Sequence, residues 1–171
     1  MGYIVMKFGG IATSTSKTRE KIINIISKIK NKKILLVVSA MGRVGFPYAT
    51  DTLLNLIDTS MSSKKEADAL LACGEIISSI VMANDLNQNN IKSYALSVKE
   101  IGLIFNNDFN FKNSKIIDKF SSYNVLVVPG FIALNEDEEI VTLKRGGGDL
   151  SACVFAKFLN CFKVYLFKDV D

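Results

Sequence analysis

The feature that most constrains the fold is the alternation of short apolar, β-branched runs with longer amphipathic runs along the whole chain. Short runs of this kind predict strands, and the longer runs predict helices. Because strands alternate with helices, we expect an α/β fold, a three-layer α/β/α sandwich with a mainly parallel central sheet. The predicted strands are Tyr3–Phe8, Ile34–Ser39, Ser93–Leu96, Val125–Val128 and Lys163–Phe167. The main predicted helices are Ser16–Lys30, Lys64–Leu86, Asn113–Tyr123 and Ser151–Leu159. Residues 131–143 read as a hairpin, and residues 104–114 as a long loop.

Composition excludes several classes of function. The 171 residues suit one domain with a sizeable core. The absence of histidine excludes imidazole acid–base catalysis and most zinc sites. The net charge of +4 comes from scattered lysines, so it favours a phosphorylated small molecule over nucleic acid.

The cysteines and the apolar runs bear on the compartment. Cys73, Cys153 and Cys161 have no metal-ligand spacing, and we expect them to be buried thiols. No uninterrupted apolar run approaches the roughly 20 residues that cross a bilayer, and no signal-peptide pattern begins the chain. These observations predict a cytoplasmic protein without membrane or nucleic acid partners.

Glycine or charged residues follow most of the predicted strands. Ligands of parallel α/β sheets bind at the carboxyl ends of the strands, where the loops converge. The segments at these ends are Gly9-Gly10, Ser39 to Gly42, Pro129-Gly130 and Lys168-Asp169. We therefore expect a binding site at this edge of the sheet.

Two segments at this edge suit an anion. Arg145 to Asp149 combines three glycines with opposite flanking charges, and the alternative is a flexible connection with a helix N-cap at Asp149. Lys7 ends the first strand just before Gly9-Gly10, where an ammonium beside exposed amides forms a phosphate cradle. The alternative is a solvated lysine before an ordinary turn.

Glu75 is the only charged residue between Ala69 and Asn84, in a helix that is apolar on most sides. Such a helix is largely buried, and a buried unpaired carboxylate is costly. Glu75 therefore requires a ligand or a structural ion pair, with Arg145 as the candidate partner. Gly74 would let another segment approach. Thr50-Asp51-Thr52 reads as an ordinary N-cap that could also swing over the same edge.

Together these segments resemble aspartokinases of the amino acid kinase family. The matching segments occur in family order and are Lys7 to Gly10, Val37 to Arg43, Tyr48 to Leu54, Cys73 to Glu75, Pro129 to Phe131, Arg145 to Asp149 and Asp169 to Asp171. Acetylglutamate and uridylate kinases share the architecture but lack this combination. The resemblance implies an amino acid kinase-like fold and a catalytic domain over residues 1–171, incomplete at its C-terminus.

The resemblance also implies an activity. It is transfer of a phosphoryl group from ATP, with Mg²⁺, to the side-chain carboxylate of L-aspartate, for lysine, threonine and methionine biosynthesis. By position, Lys7 and Asp149 would be catalytic. The implied substrate-binding residues are Thr50, Glu75, Arg145, Gly147 and Gly148. The implied nucleotide-binding residues are Lys7, Phe8, Gly9, Gly10, Lys168 and Asp169. The metal ligands are unknown, and a homodimer is implied by analogy alone.

Departures from the family pattern predict a weaker nucleotide site. Ile11 and Ala12 replace two hydroxyl residues that usually follow the first glycines, leaving Thr13 or Ser14 to compensate. Gly148 replaces a serine, and Lys168 replaces a threonine. Each lost hydroxyl costs roughly 1–3 kcal/mol if its partner stays unpaired. The chain also ends before further family segments, as in a fragment or a truncated relative. The alternative function is therefore an impaired aspartate-binding or assembly domain.

Overall fold

The computed structural model describes residues 2–143, 146–161 and 163–168. In chain order the strands are β1 (Gly2–Phe8), β2 (Lys32–Val38), β3 (Ser93–Ala95), β4 (Leu103–Asn106), β5 (Asp108–Phe111), β6 (Val125–Pro129), β7 (Ile132–Leu134), β8 (Ile140–Thr142) and β9 (Val164–Phe167). The helices are α1 (Gly10–Thr13), α2 (Ser16–Ser27), α3 (Thr50–Leu54), α4 (Lys64–Gln88), α5 (Val98–Ile101), α6 (Ile116–Phe120) and α7 (Gly147–Phe158).

The main sheet has five strands in the order β3-β6-β2-β1-β9, and every pair is parallel. Alternate residues of the central strands pack in two separate hydrophobic cores, one on each face of the sheet. Leu35 and Val37 of β2 pack with α5, α6 and α7, whereas Leu36 and Val38 pack with α2 and α4. The strand therefore lies buried between two helical layers, which confirms the predicted sandwich.

A second sheet, in the order β5-β4-β7-β8, was not expected from the sequence. The hairpin of β7 and β8 confirms the expectation for residues 131–143. The loop predicted over residues 104–114 is wrong, because β4 and β5 form an antiparallel hairpin that turns at Asn107 (φ 56°). Phe105 and Phe109 face each other across it with ring centroids 4.8 Å apart. In the sequence, the Asn and Asp residues between the phenylalanines are typical of a loop, so the alternation of apolar and polar residues was not interpreted as a strand.

Helix α6 is three residues shorter at each end than the predicted Asn113–Tyr123, and the start of the last helix, α7, is also displaced. This helix begins at Gly147, four residues before the expected Ser151, with Gly146 at its N-cap (φ 83°). The glycine-rich segment is therefore largely the first turn of a helix, and Asp149 lies inside that turn. Long helix α4 opens with a capping box of Ser63 and Glu66.

The length and composition of α4 would let it cross a membrane, although no uninterrupted apolar run predicted this. Core helices pass the same test, and Met82, Ala83 and Leu86 of α4 pack against the main sheet. The side of α4 that faces away from the sheet is exposed to solvent, since Ile80 is 56% exposed. The expected burial of the cysteines is wrong. Cys73 on α4 and Cys153 on α7 are exposed, and Cys161 is half-buried.

Gly10 is required where the end of β1 meets the segment after β2. A Cβ atom at Gly10 would lie 2.4 Å from the carbonyl oxygen of Gly42 and 2.6 Å from that of Ala40. Backbone atoms cannot move aside easily, so we expect Gly10→Ala to lower the free energy of unfolding by about 1–3 kcal/mol in urea titrations. The control is Gly2→Ala, whose nearest neighbour is the flexible end of Lys32. Equal stability of the two variants would contradict this account.

Candidate functional site

The carboxyl ends of four parallel strands meet at one edge of the main sheet. Phe8 pairs with Val38 and Phe167, and Val38 pairs with Pro129. The residues that follow these strand ends are Gly9, Ser39, Gly130 and Lys168. The structure thus brings the predicted strand-end segments together, except Asp169, which lies outside the described residues.

Close backbone approaches hold this edge. The amide of Gly42 donates to the carbonyl of Gly10 at 2.8 Å, and the amide of Gly130 donates to that of Val38 at 2.9 Å. A Cβ atom at Gly74 would lie 2.6 Å from the carbonyl oxygen of Tyr48, which confirms that another segment approaches α4 at this glycine. The segment before α3 is thereby brought against the residues around Glu75.

Two clefts that meet each other open at this edge. The larger, which we call the Glu75 cleft, has a volume of about 530 Å³ and is lined by Lys7, Ser39, Thr50, Asp51, Glu75, Phe131 and Gly146 to Asp149. The smaller, which we call the Lys168 cleft, has a volume of about 360 Å³ and is lined by Lys7, Gly9, Gly10, Ser39, Arg43, Asp149, Phe167 and Lys168. Lys7, Ser39 and Asp149 line both clefts, so the clefts meet at these three side chains.

The charges at this junction centre on Asp149. Its Oδ1 lies 3.0 Å from Nζ of Lys7, and its Oδ2 lies 3.0 Å from Nζ of Lys168. The contact with Lys7 is an ion pair rather than an aligned hydrogen bond, since Oδ1 has no aligned donor among the described residues. Burial raises the pKa of Asp149, but the two ammonium groups outweigh it, so the pKa is lowered overall. Asp149 is therefore an ionised carboxylate between two cations.

Glu75 is the buried carboxylate of the site, with 3% of its surface exposed. Desolvation raises its pKa to about 8, although the backbone amides of Ala40 and Gly130 and the charge of Lys7 act in the opposite direction. Its Oε2 has no hydrogen-bond partner among the described residues. The predicted burial is confirmed. Glu75 is thus mostly uncharged at neutral pH and has an acceptor unused.

The free energy of unfolding should depend on pH because Glu75 titrates. Its pKa is near 4.5 when unfolded and about 8 when folded, so between these values the folded state binds the extra proton. The contribution to stability is present below pH 4.5 and is lost as the pH rises toward 8. Urea unfolding should therefore show Glu75→Gln gaining about 2 kcal/mol relative to the parent between pH 6 and pH 8. Glu20→Gln, an exposed control on α2, should show no such gain, and parallel pH curves for Glu75→Gln and the parent would refute the assignment.

The structure gathers most of the residues that the sequence singled out. Lys7, Thr50, Glu75, Gly147, Gly148 and Asp149 line the Glu75 cleft, and Lys7, Gly9, Gly10 and Lys168 line the Lys168 cleft. Thr50 begins α3 after the N-cap Ala49, so it is not itself the cap. Phe8 is the exception, because its side chain is buried and stacks on Phe167 with ring centroids 4.2 Å apart. Arg145, and with it the alternative ion pair to Glu75, lies outside the described residues.

Several lining residues were missed as site residues. Ser39, Arg43, Asp51, Phe131 and Gly146 belong to segments that the sequence had already marked, yet only the folded chain shows which side chains reach a cleft. Ser39 is the most informative, because it lies at the junction. A Cβ atom at Gly148 would lie 3.6 Å from its Oγ.

The hydroxyls of Thr13 and Ser14 do not line either cleft. Thr13 is buried, and its Oγ1 donates to the carbonyls of Gly10 at 3.1 Å and Ser39 at 3.3 Å. Ser14 Oγ donates to the carbonyl of Ile11 at 2.7 Å. Both protons serve the backbone, so neither residue replaces the hydroxyls absent at Ile11 and Ala12.

The described residues contain no group of three or more His, Cys, Asp or Glu side chains placed to hold a metal ion. A separate cavity of about 320 Å³ lies at the opposite end of the strands, and no acidic residue lines it. Most of the residues that the sequence singled out line the two clefts at the carboxyl edge rather than this cavity.

The sequence of this chain matches a known protein family and several of its members. The model of the amino acid kinase family matches residues 2–171. Aspartokinase 1 of Bacillus subtilis is 37% identical over 183 aligned residues, which cover 100% of this chain and 45% of the relative. Aspartokinase of Rickettsia prowazekii is 28% identical, with 100% of this chain and 40% of the relative covered. The chain thus spans less than half the length of these relatives.

A solved structure shows the same architecture. The crystal structure of aspartate kinase from Synechocystis superposes with a TM-score of 0.83 at 26% sequence identity, over 99% of this chain and 28% of that one. The parallel main sheet between two helical layers is therefore the architecture of that aspartate kinase.

Proposed function

Because this chain belongs to the amino acid kinase family, we propose that it transfers the γ-phosphoryl group of ATP to the side-chain carboxylate of L-aspartate, giving 4-phospho-L-aspartate. The observation that carries the proposal is the junction of the two clefts at Lys7, Ser39 and Asp149. Phosphoryl transfer needs an acceptor and a phosphate donor on either side of a positive group. Lys7 occupies that position.

The Glu75 cleft suits the amino acid. No ion pair joins Glu75 to another described residue, and an ammonium group of the substrate would supply a cation whose pairing favours the ionised form of Glu75. Thr50, Gly147 and Gly148 line the same cleft and would contact the rest of the substrate. Arg145, outside the described residues, would bind its α-carboxylate.

The Lys168 cleft suits the phosphates of ATP. Lys7, Arg43 and Lys168 line it together with Gly9 and Gly10. Asp169, outside the described residues, would lie by the nucleotide. Phe8, which lines a neighbouring cavity with Phe167 and Lys168, would lie beside the nucleotide. Asp149 has both oxygens beside ammonium groups, so it is suited to positioning Lys7 rather than binding a cation.

The reaction needs little acid–base chemistry. A side-chain carboxylate oxygen of aspartate attacks the γ-phosphorus of ATP, the bond from that phosphorus to the bridging oxygen breaks, and ADP leaves with the electron pair. The nucleophile is already ionised at neutral pH, so no general base is required. Mg²⁺ would enter with the phosphates and neutralise their charge. Lys7 would stabilise the charge that develops on the transferring group.

The test is the formation of aspartyl hydroxamate from aspartate, ATP and Mg²⁺ in the presence of hydroxylamine, which traps the acyl phosphate. Soluble, folded protein of residues 1–171 should form it, and a panel of other carboxylates tests for a different amino acid substrate. No hydroxamate with any carboxylate would refute kinase activity of this chain. We propose a cytoplasmic location and a role in lysine, threonine and methionine biosynthesis on the same basis.

A second candidate is a domain that binds aspartate or assembles, including as a homodimer, but transfers phosphate poorly. The observation in its favour is that Thr13 and Ser14 direct their hydroxyls to backbone carbonyls, so the nucleotide side lacks those donors. Calorimetric titration separates the candidates. Aspartate binding without ATP binding supports the second, and saturable MgATP binding supports the first.

A further inference from the structure

Two buried oxygen atoms on α4 have no hydrogen-bond partner among the residues that the structure describes. They are Oε2 of Glu75 and Oγ of Ser78. Ser78 is fully buried, and Glu75 is nearly so. A buried polar atom that stays unpaired is costly, so two of them on one helix require an explanation.

The two side chains lie one helical turn apart on the same face of α4. Ser78 follows Glu75 by three residues, a spacing that places Cβ atoms about 5–6 Å apart. Helical side chains lean toward the N-terminus of their helix, so Ser78 leans over the turn that contains Gly74 and Glu75. Rotation about the Cα–Cβ bond of Ser78 turns its hydroxyl toward the carboxyl group without moving the helix.

The neighbouring Ser79 shows that serine in this helix does not generally lack a partner. Ser79 is also buried, and its Oγ donates to the carbonyl of Ile76 at 2.8 Å. Serine hydroxyls in helices commonly donate to the preceding turn in this way. Ser78 leaves that bond unmade, so its proton is available to another acceptor.

Ser78 lies deeper in the protein than the substrate would. Glu75 lines the Glu75 cleft, whereas Ser78 lines neither cleft. A ligand in the cleft therefore reaches the carboxyl group and not the hydroxyl. The described charged side chains that share this cleft with Glu75 are Lys7, Asp51 and Asp149, of which only Lys7 favours the ionised form of Glu75.

We propose that Ser78 is a positioning residue, whose hydroxyl donates a hydrogen bond to Oε2 of Glu75 when that carboxyl group is ionised. The pairing of ionised Glu75 with the substrate ammonium rests on the proposed function, whereas the hydrogen bond itself does not. Hydrogen bonds to a charged acceptor are stronger than those to a neutral one. The hydroxyl therefore lowers the cost of ionising a carboxyl group that is buried away from water.

NMR titration of the side-chain carboxyl carbon of Glu75 tests this hydrogen bond in the ligand-free, full 171-residue protein. The resonance is assigned by its absence in Glu75→Gln. Ser78→Ala should raise the midpoint of the titration by about 0.5–1 pH unit, because the ionised form loses the stronger bond. Ser78→Cys, whose thiol is a weaker donor, should fall between Ser78→Ala and the parent. The matched control is Ser79→Ala, which should keep the parental midpoint because the hydroxyl of Ser79 serves the backbone.

Aspartate binding gives a second readout, which depends on the proposed function. At pH 7, Ser78→Ala should bind aspartate about 3- to 10-fold more weakly than the parent, because less of its Glu75 is ionised. The two affinities should converge by pH 9.5, where Glu75 is largely ionised in both proteins. A loss of packing would instead weaken binding equally at both pH values, and that result would contradict the inference.

The outcomes separate this inference from the proposed function. An unchanged midpoint in Ser78→Ala overturns the hydrogen bond, as does an equal rise in Ser79→Ala. A gain in stability of Ser78→Ala without a change in the midpoint would show an unpaired hydroxyl that has no role, and overturns it too. If Ser78→Ala does not fold, the same comparison of Ser78→Cys with Ser79→Cys decides. A raised midpoint in a protein that binds no aspartate would leave the hydrogen bond standing and remove the proposed role of Glu75 in substrate binding.

Discussion

Replacement of Lys7 by methionine should lower kcat/KM for aspartyl hydroxamate formation by at least about 10³-fold. Lys7 is the only lysine among the described residues that lines both clefts, and its ammonium is the cation at their junction. Its loss would remove charge stabilisation from the transferring phosphoryl group and leave Asp149 paired with Lys168 alone. Initial rates over a matrix of aspartate and ATP concentrations measure the effect.

Two companion variants sharpen this prediction. Lys7→Arg keeps the charge but carries a larger head group. The side chain at position 7 runs close to the backbone of Gly148, since a Cβ atom built there would lie 3.3 Å from Cε of Lys7. We expect this variant to lose at least about tenfold in rate, because bidentate guanidinium geometry does not reproduce an ammonium. Lys163→Met, which removes an exposed lysine that lines neither cleft, should keep the parental rate. A Lys7→Met variant that stays folded and within tenfold of the parent would rule out Lys7 as the transferring cation.

Aspartate binding should release a proton from Glu75. Its pKa of about 8 means that Glu75 is mostly protonated at pH 7 before the ligand binds. Pairing with the substrate ammonium requires the ionised form, so close to one proton should leave. Calorimetry at pH 7 in buffers of different ionisation enthalpy gives this proton count. The affinity for aspartate should rise about 50-fold from pH 6 to pH 8 and then level off.

Glu75→Gln should remove the charge pair but preserve the shape of the side chain. We expect its aspartate affinity at pH 8 to fall about 10²-fold, because a buried cation would be left without its partner. Its binding should also release no proton and vary little between pH 6 and pH 8. The exposed Glu20→Gln variant should behave like the parent. Undiminished affinity in Glu75→Gln, or binding without proton release in the parent, would show that the ammonium lies elsewhere.

The two acidic residues of the site differ in how far the sequence predicted them. Glu75 could be singled out because it interrupts an otherwise apolar segment, and its burial follows from the local helical pattern. Asp149 was expected in a glycine loop, whereas it lies in the first turn of α7. Three adjacent glycines have low helix propensity, so local reasoning ended the loop too late. Helix α7 packs against β1 and β2, which are distant in sequence, so local propensity is not its only source of stability.

The second sheet shows the same limit. The Asn and Asp residues between Asn106 and Asn113 carry turn signals at several positions, and only one of them, Asn107, is the hairpin turn. Phe111 and Phe158 are far apart in sequence, yet their rings stack with centroids 4.0 Å apart. Such contacts select one register among several that the local pattern permits.

The parallel α/β architecture, the strand ends that line the two clefts and the burial of Glu75 could all be predicted from the amino-acid sequence. These properties follow from periodicity and from the side chains of neighbouring residues, which act over a few positions of the chain. The tertiary structure alone decided that Lys7 and Lys168 share the carboxylate of Asp149, and that Ser39 lies where the two clefts meet. Those contacts join segments that only the parallel pairing of β9, β1 and β2 brings into register, and pairing over long sequence separations leaves little local trace.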